Sequence, residues 1–350
     1  MTPRTPPGAA RAATPMAFVQ AIVQGYERHG RDPAAALRAV QIAPHELARP
    51  GARVTAAQFE ALSAHAMQEL DDEALGWFGR RLPWGSYGML CRASLTAPDL
   101  GVALKRWCRH HRLLVDDVLL HLQVAGGVAE LSIEERRDLG PLREFCLVSL
   151  LRFAHGYASW AIDSRLPLLE ASFPFAPPPH AEAYPLMFPG RVRFGTARAG
   201  YRFDAQYLAL QLVRDEPALR SMLGRALPLT VLPYRRDRLL GRRVRTLLRT
   251  QAEAGTAEAV AALLHVSTRT LHRQLQAEGL SLQGLKDQVR HEQAAELLRR
   301  TRRSIQQIAL AVGFRNEKSF ARAFRQWTGM APGAFRAAQG DRQSGAPPSP

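Results

Sequence analysis

The spacing of apolar residues divides the chain into two helical regions with a short region of alternation between them. From residue 18 to about residue 120, apolar residues recur every three or four positions, which is the period of a helix with one buried face. Residues 128–133 alternate apolar and polar side chains, and the pair Gly126-Gly127 before them supplies a tight turn. These patterns predict a helical subdomain followed by a β-hairpin whose first strand lies within residues 113–123.

The rest of the first region predicts a small sheet around one long helix. Residues 142–162 are mostly apolar and predict a long helix. Prolines and aromatic residues fill residues 173–190 and predict an irregular connection, while residues 191–194 and 200–203 have the pattern of short strands. We therefore expect an α+β fold for residues 17–230, with a helical subdomain and a small sheet.

Residues 256–279 have the pattern of a helix-turn-helix unit. A short apolar stripe ends before Ser267, a residue type that caps helix N-termini, and Leu271 and Leu275 follow at the spacing of a buried helical face. The connection between the two predicted helices contains no glycine. Taken alone, this stretch therefore also fits an ordinary helical hairpin.

A second unit repeats this design about 50 residues later. Ser304 and Asn316 are each placed to cap a helix, and Gly313 between them suits a sharp turn because glycine tolerates a positive φ. The helix after Asn316 carries Phe320 and Phe324 on one face. The repetition favours two helix-turn-helix units over a plain hairpin core.

Residues 282–300 predict one continuous helix between the two units, with apolar residues at helical spacings and charged residues elsewhere. A rigid helix of this kind holds the two recognition helices apart. Two such helices on one face can enter successive major grooves, whose centres lie about 34 Å apart. We therefore expect an all-α DNA-binding domain at residues 251–337, with two helix-turn-helix units joined by a long helix.

The formal net charge of +16 is concentrated near the C-terminus. Residues 235–350 contain 21 Lys and Arg against 9 Asp and Glu, so most of the excess lies beside the predicted helix-turn-helix units. Residues 231–250 are strongly basic and are interpreted as a linker. Residues 1–16 and 338–350 are rich in Pro, Ala, Gly and Ser, and they are predicted to be disordered tails.

Exposed positions of the two recognition helices are candidate DNA contacts. Arginine and lysine can donate to guanine O6 and N7, a glutamate can accept from cytosine N4, and alanine offers only a methyl contact. The candidate base contacts are Arg269, Thr270, His272, Arg273, Glu317, Lys318, Ser319, Ala321 and Arg322. The candidate phosphate contacts are Arg299, Arg300, Arg302, Arg303 and Arg325. A phosphate or solvent is the alternative partner for each base contact, and Glu317 also suits the positive end of its helix.

The run from Ser304 to Arg336 closely resembles the signature of the AraC/XylS family of transcription factors, and the resemblance extends back through residues 290–298 and the first unit. It implies a regulator that binds double-stranded DNA sequence-specifically, works with RNA polymerase and usually activates transcription. The family's base-reading positions fall here on Arg269, His272, Arg273, Glu317, Lys318, Ala321 and Arg322.

Residues 17–230 resemble, more loosely, the effector-sensing region of the subgroup that includes regulators of ornithine use. The motifs that carry this resemblance lie at residues 81–90, 94–104 and 192–196. It implies a small-molecule effector without implying arabinose specificity, and a homodimer is left open. Candidate pocket residues are Trp84, Tyr87, Trp107, Phe145 and Tyr157. Aromatic residues at such spacings are also typical of a hydrophobic core.

Little in the sequence favours an enzyme. Cys91, Cys108 and Cys146 lack the close spacing of zinc or redox sites, and no nucleophile elbow, P-loop or dinucleotide motif appears. We therefore expect no catalytic residues, metal or cofactor. A repair-type enzyme with a reactive cysteine and a constitutive architectural DNA binder are the alternatives. Because no run reaches the roughly 18–20 apolar residues that span a bilayer, we expect a cytoplasmic, nucleoid-associated protein without membrane contact.

Overall fold

The computed structural model of the protein describes residues 14–49, 51–224, 237–251 and 255–344. The chain divides into two units between Asp237 and Arg238. Each unit has its own hydrophobic interior, so each is described by itself.

The first unit begins with the predicted helical subdomain. Thr55 caps one helix through a capping box with Gln58, and Asp99 caps another by accepting from the amide of Val102. The helices of this part are α1 (Met16–Arg28), α2 (Ala34–Ala39), α3 (Pro44–Leu47), α4 (Ala56–Glu69), α5 (Ser86–Leu95) and α6 (Leu100–Leu114). Beside them, β1 (Thr14–Pro15) pairs antiparallel with β2 (Arg53–Val54).

A five-stranded sheet and three more helices complete the described part of this unit's secondary structure except for short 3₁₀ turns. These elements are β3 (Val118–Ala125), β4 (Val128–Glu135), α7 (Arg143–Ala161), β5 (Leu168–Phe173), α8 (Tyr184–Met187), β6 (Arg191–Phe194), β7 (Ala199–Asp204) and α9 (Glu216–Leu223). The strand order is β3-β4-β7-β5-β6, and all neighbours are antiparallel except β5 and β6. The α+β prediction is therefore confirmed.

The hairpin of β3 and β4 has the predicted turn, but its first strand starts later than predicted. Ala125 pairs with Val128, so Gly126 and Gly127 form the turn, and both have a positive φ. Leu113, which the sequence placed in the first strand, lies instead near the end of α6 and is 72% exposed. The helix continues to this point because its buried face, which includes Trp107 and His111, repeats at helical spacing.

Strand β5 was not predicted from the sequence. Its register with β7 shifts between Leu168 and Glu170, so the alternation of buried and exposed side chains is broken at the start of the strand. Leu169 is accordingly 52% exposed although it is apolar. The long helix α7, by contrast, is confirmed to within one residue at each end, and it is buried on nearly every side.

The second unit contains helices only, within the part of it that the structure describes. They are α10 (Leu240–Thr250), α11 (Ala257–Leu263), α12 (Thr268–Ala277), α13 (Leu282–Arg300), α14 (Ile305–Ala311), α15 (Glu317–Thr328) and α16 (Pro332–Ser344). The first core of this unit consists of Leu240, Val244, Val260, Ala261, Leu264, Leu271, Leu275, Leu282 and Leu285. The second core consists of Ala294, Leu298, Ile308, Ala309, Val312, Phe320 and Phe324.

The predicted basic linker is corrected by helix α10. Leu240 and Val244 are buried in the first core, so this helix belongs to the second unit and residues 238–250 are not a linker. Because α10 contains many arginines, its composition indicated a linker, whereas the spacing of its apolar residues is that of a helix with one buried face. Residues 231–236 of the predicted linker lie outside the described residues.

Part of each predicted tail lies in secondary structure. Thr14 and Pro15 pair with β2, and Met16 begins α1 with its side chain 5% exposed. At the other end, α16 continues to Ser344. Residues 1–13 and 345–350 lie outside the described residues.

Candidate nucleic-acid interface

The turn of the first helix-turn-helix unit is made by a residue in the left-handed region. His265 has a φ of 53°, and the amide of Val266 donates to the carbonyl of Ala261. This bond satisfies a carbonyl that α11 leaves free at its end, as in the usual C-terminal helix motif. A histidine therefore adopts here the backbone conformation that glycine adopts most easily.

The second helix-turn-helix unit has the equivalent hydrogen bond, and its turn contains the predicted glycine. Gly313 has a φ of 83°, and the amide of Phe314 donates to the carbonyl of Ala309 over 2.9 Å. His265 and Gly313 thus occupy equivalent positions, each following the first helix of its unit. The two turns form the same local structure although only one contains the predicted glycine.

Both recognition helices, α12 and α15, begin at the predicted caps. The side chain of Ser267 accepts from the amide of Thr270, and that of Asn316 accepts from the amide of Ser319. Counting from these caps puts the two helices in register. The equivalent pairs are Arg269 and Lys318, Thr270 and Ser319, His272 and Ala321, and Arg273 and Arg322.

Apolar residues fix which face of each recognition helix remains outside. Leu271 and Leu275 hold α12 in the first core, and Phe320 and Phe324 hold α15 in the second. The candidate base contacts that are exposed are Arg269, His272, Arg273, Glu317, Lys318 and Arg322, whereas Thr270, Ser319 and Ala321 are half-buried. In the described residues, the cations Arg269, Arg273, Lys318 and Arg322 have no recorded carboxylate partner, so their donors face solvent.

Two candidate base contacts already use their hydroxyl groups within the protein. The Thr270 and Ser267 hydroxyls lie 2.8 Å apart, and the Ser319 hydroxyl donates to the carbonyl of Asn316 over 3.0 Å. A hydroxyl in such a bond stabilises the start of its helix. To reach a base, Thr270 and Ser319 would have to use the remaining hydrogen-bonding capacity of these hydroxyls.

The connecting helix α13 has the predicted bounds and contributes to both cores. Leu285 belongs to the first core and Ala294 to the second, and at about 100° per residue they lie on opposite sides of the helix. The Lys286 ammonium donates to the carbonyl of Gly255 beside the first core. With 19 residues, α13 is about 28 Å long, which approaches the groove spacing of about 34 Å.

The candidate phosphate contacts are all exposed, and four of the five flank the junction between α13 and α14. Arg300 forms an ion pair with Glu296 over 3.2 Å, and the Nε of Arg299 donates to the carbonyl of Ala295. Arg302 and Arg303 project from the loop before α14, and Arg325 lies one turn after Arg322. Exposed cations that flank a helix N-terminus suit phosphate oxygens.

Comparison with known proteins decides the family. The model described as the arabinose-binding domain of AraC transcription regulators matches residues 30–212, and a helix-turn-helix domain model matches residues 260–338. The chain belongs to the AraC family of transcription regulators. This AraC-family protein is therefore a sequence-specific DNA-binding regulator, and the matched domains and the relatives below are regulators and not enzymes.

The relatives of this regulator cover most or part of its length. It is 29% identical to the ornithine utilization regulator of Pseudomonas aeruginosa over 93% of this chain and 96% of that protein. It is 40% identical to the transcriptional activator RhaS of Escherichia fergusonii over 24% of this chain and 31% of that protein. The crystal structure of the regulator CdpR from Pseudomonas aeruginosa is similar over 92% of this chain and 98% of that chain, with 21% identity and a TM-score of 0.33.

Of the five residues predicted for the effector pocket, one lines the apolar cavity of the first unit. This cavity has a volume of about 170 Å³, and Phe145 lines it. Trp84 is 42% exposed and does not line this cavity. Tyr87, Trp107 and Tyr157 stack on one another in the core, with ring centres 6.5 and 4.6 Å apart, because they lie on buried faces of α5, α6 and α7.

The cavity residues that sequence reasoning missed come from several segments. They include Ser63 of α4, Trp77 from a loop, and Arg152 of α7. Arg152 is a single arginine within an otherwise apolar stretch of helix. This isolated charge was the one feature of the sequence that could have indicated a polar group in the cavity. Burial lowers the pKa of its guanidinium to about 10, so it stays charged near neutral pH.

The cysteines do not have the properties of reactive thiols. Cys91 and Cys146 are buried, and burial raises the pKa of both thiols well above the ordinary value. Burial also raises the pKa of Cys108 to about 12. These thiols stay protonated near neutral pH, which argues against the repair-type alternative.

The described residues contain no group of three His, Cys, Asp or Glu side chains arranged to hold a metal ion. His111 is fully buried without a hydrogen-bond partner among them, and burial lowers its pKa to about 4. Burial likewise lowers the pKa of His155 to about 4, and its Nε2 donates to the carbonyl of Leu166. Among the described helices, none has the length and apolar character needed to cross a membrane.

Proposed function

We propose that this regulator is a ligand-responsive activator that reads two successive major grooves, with α12 in one and α15 in the next. The observation that carries the proposal is the shared register of the two helices, which gives Arg273 and Arg322 the same position after their caps. Both are exposed on helices whose opposite faces are buried. Guanidinium groups at such positions can donate to guanine O6 and N7.

The other candidate contacts divide by the geometry of their helices. Arg269, His272, Glu317, Lys318 and Ala321 supply base contacts, and Thr270 and Ser319 add weaker contacts because their hydroxyls already bond within the helix start. Arg299, Arg300, Arg302, Arg303 and Arg325 supply phosphate contacts that set affinity and salt dependence.

The first unit serves as the effector domain. Its match to the arabinose-binding domain model supports a small-molecule effector, and its apolar cavity supplies the space. Neither arabinose nor ornithine is assigned to this chain by the names of its relatives. We further propose that effector binding alters engagement with RNA polymerase at the promoter, that the active form is a homodimer, and that the protein works in the cytoplasm.

Fluorescence anisotropy with labelled fragments of the protein's own promoter region tests DNA reading. We expect one fragment to bind at least a hundredfold more tightly than a shuffled fragment of equal length. Footprinting on that fragment should show two protected major-groove segments about one helical turn apart for each bound chain. Equal binding to the specific and shuffled fragments would favour the architectural alternative. Sedimentation of the free and bound protein tests the homodimer.

A further inference from the structure

The cavity of the first unit has an aromatic wall. Phe18, Phe59, Trp77 and Phe145 all line it, and they contact one another. The rings of Trp77 and Phe145, for example, have centres 5.4 Å apart and meet edge to face. Such a wall favours an apolar ligand body, because burying apolar surface is the main source of affinity in small pockets.

Two residues of the same lining carry buried polar atoms without a partner. Within the described residues, neither Ser63 Oγ nor Trp77 Nε1 has a hydrogen-bond partner, although both atoms are sealed from solvent. Ser63 is 1% exposed and Trp77 is 3% exposed. Buried polar groups are nearly always paired, so two unpaired donors beside one cavity indicate a ligand that accepts hydrogen bonds.

The charge of the residues that line the cavity indicates whether the accepting group of the ligand is charged or neutral. Arg152 is the single ionisable side chain among the fourteen residues that line the cavity, and no carboxylate stands among them. Its guanidinium donates to the carbonyl of Met187 and lies 5.9 Å from the centre of the Phe188 ring. A lining with one cation and no anion favours a negatively charged acceptor over a neutral one.

We propose that this cavity binds a small carboxylic acid with an apolar aliphatic or aromatic body. The inference rests on the effector-sensing role proposed above and names the chemical class of the effector. The carboxylate accepts from Ser63 and Trp77 in the field of Arg152, and the body packs against the aromatic wall. Because a cavity of about 150 Å³ holds benzene, a cavity of about 170 Å³ suits the body of such an acid, a single ring or a short alkyl chain.

The same lining disfavours strongly polar ligands. A pentose would bring several hydroxyl groups against aromatic rings that cannot bond them, and a diamino acid would bring ammonium groups near Arg152 without a carboxylate to receive them. The effector class inferred from the cavity therefore differs from the arabinose in the name of the family model and from the ornithine in the name of the Pseudomonas aeruginosa regulator.

Isothermal titration of the full-length protein tests the ligand class with defined probes. Hexanoate and phenylacetate represent the two bodies, hexanamide and phenylacetamide are their neutral counterparts, and L-arabinose and L-ornithine are the polar comparisons. We expect both acids to bind at least tenfold more tightly than their amides and the two polar probes. Equal affinity for acid and amide, or tighter binding of a polar probe, would overturn the inference.

Variants of the lining test the assigned contacts. Arg152→Met should weaken acid binding at least tenfold and abolish the preference over the amide, and Trp77→Phe and Ser63→Ala should each weaken it several-fold. Arg143→Met is the matched control, because Arg143 lies on the same helix but bonds to Glu135 outside the cavity. Ser149→Leu fills the cavity without removing a charge, and it should exclude all four acid and amide probes. Unchanged binding in both Arg152→Met and Ser149→Leu would place the acid elsewhere and overturn the assignment.

A parallel anisotropy measurement separates this inference from the proposed function. If the full-length protein binds its promoter fragment specifically but binds neither acid, the ligand class is wrong while DNA reading stands. If both acids bind with the expected preferences but change neither DNA affinity nor transcription in a reconstituted assay, the ligand class stands and the sensing role fails.

Discussion

The guanidinium of Arg290 lies 5.4 Å from the centre of the Phe314 ring, so the connecting helix α13 contacts the turn of the second helix-turn-helix unit directly. Phe314 also donates the amide hydrogen bond that ends α14. His291, the next residue of α13, packs against Phe324 and Trp327 of the recognition helix α15. The middle of α13 is therefore part of the surface against which the second helix-turn-helix unit packs.

Arg290→Ala should weaken this attachment. Loss of the cation–π contact is expected to cost about 0.5–1 kcal/mol of folding free energy, because Arg290 is partly shielded from solvent. Urea unfolding followed by circular dichroism would measure the loss. Arg299→Ala is the control, since that side chain is exposed on the same helix, and it should leave the unfolding midpoint within error. Equal unfolding midpoints for the two variants would contradict a role for Arg290 in positioning the second helix-turn-helix unit.

The two turn residues should respond in opposite directions to substitution. Gly313→Ala places a side chain at a φ of 83° and should cost about 1–2 kcal/mol. His265→Gly relieves the same strain at the equivalent position and should be neutral or stabilising by up to about 1 kcal/mol. Thermal unfolding of both variants supplies the comparison. A destabilised His265→Gly variant would show that the histidine side chain itself makes a needed contact.

Base and phosphate contacts should separate on sequence-varied DNA. Arg273→Ala and Arg322→Ala should each cost about 1–3 kcal/mol at one base position, because each removes a bidentate donor from an exposed recognition face. Arg302→Ala should weaken specific and shuffled DNA similarly and should lower the salt slope of binding by about one. Anisotropy on a panel of single-base operator variants at several salt concentrations measures both effects. Uniform losses for all three variants would contradict the division into base and phosphate contacts.

His111, which is buried, and His155, which is half-buried, should make the first unit less stable in mild acid. Burial lowers the pKa of His111 and His155 from 6.5 to about 4, so each is neutral in the folded state and takes up a proton more readily when unfolded. Their stabilising contribution is full above pH 6.5 and is lost as the pH falls toward 4. The decline should be on the order of 1 kcal/mol per pH unit for each histidine.

Chemical unfolding between pH 7.5 and pH 4.5 measures this decline. His111→Phe should reduce the slope, because phenylalanine preserves the aromatic contacts with Phe78 and Tyr87 while removing the titrating group. His45→Phe is a control, since His45 is exposed on α3. A His111→Phe variant with the parent slope would show that other groups govern acid sensitivity.

The DNA-binding half could be predicted closely from the sequence because its signals are local. Ser267, Ser304 and Asn316 cap the helices that their positions predicted, and the connecting helix has the predicted bounds. Each of these features depends on residues within a few positions of one another. The positive φ of His265 was not visible, because a histidine only occasionally adopts this conformation.

The apolar cavity of the first unit could not be predicted because its residues are distant in sequence. Phe18, Ser63, Trp77 and Arg152 meet only after α1, α4 and α7 have packed. The aromatic residues chosen from sequence spacing, such as Trp107 and Tyr157, stack instead in the core, because both rings lie on helix faces that point inward. Periodicity identifies a buried face but does not distinguish a filled interior from one that leaves space for a ligand.

The two opposed attachment sites on α13 place a limit on how this regulator can change in evolution. One residue inserted between Leu285 and Ala294 would rotate one helix-turn-helix unit by about 100° and shift it by about 1.5 Å relative to the other. A point substitution can change the base preference of one recognition helix without affecting the other. An insertion or deletion in α13 instead changes the position of one recognition helix relative to the other. The length of α13 therefore ties the protein to one operator spacing.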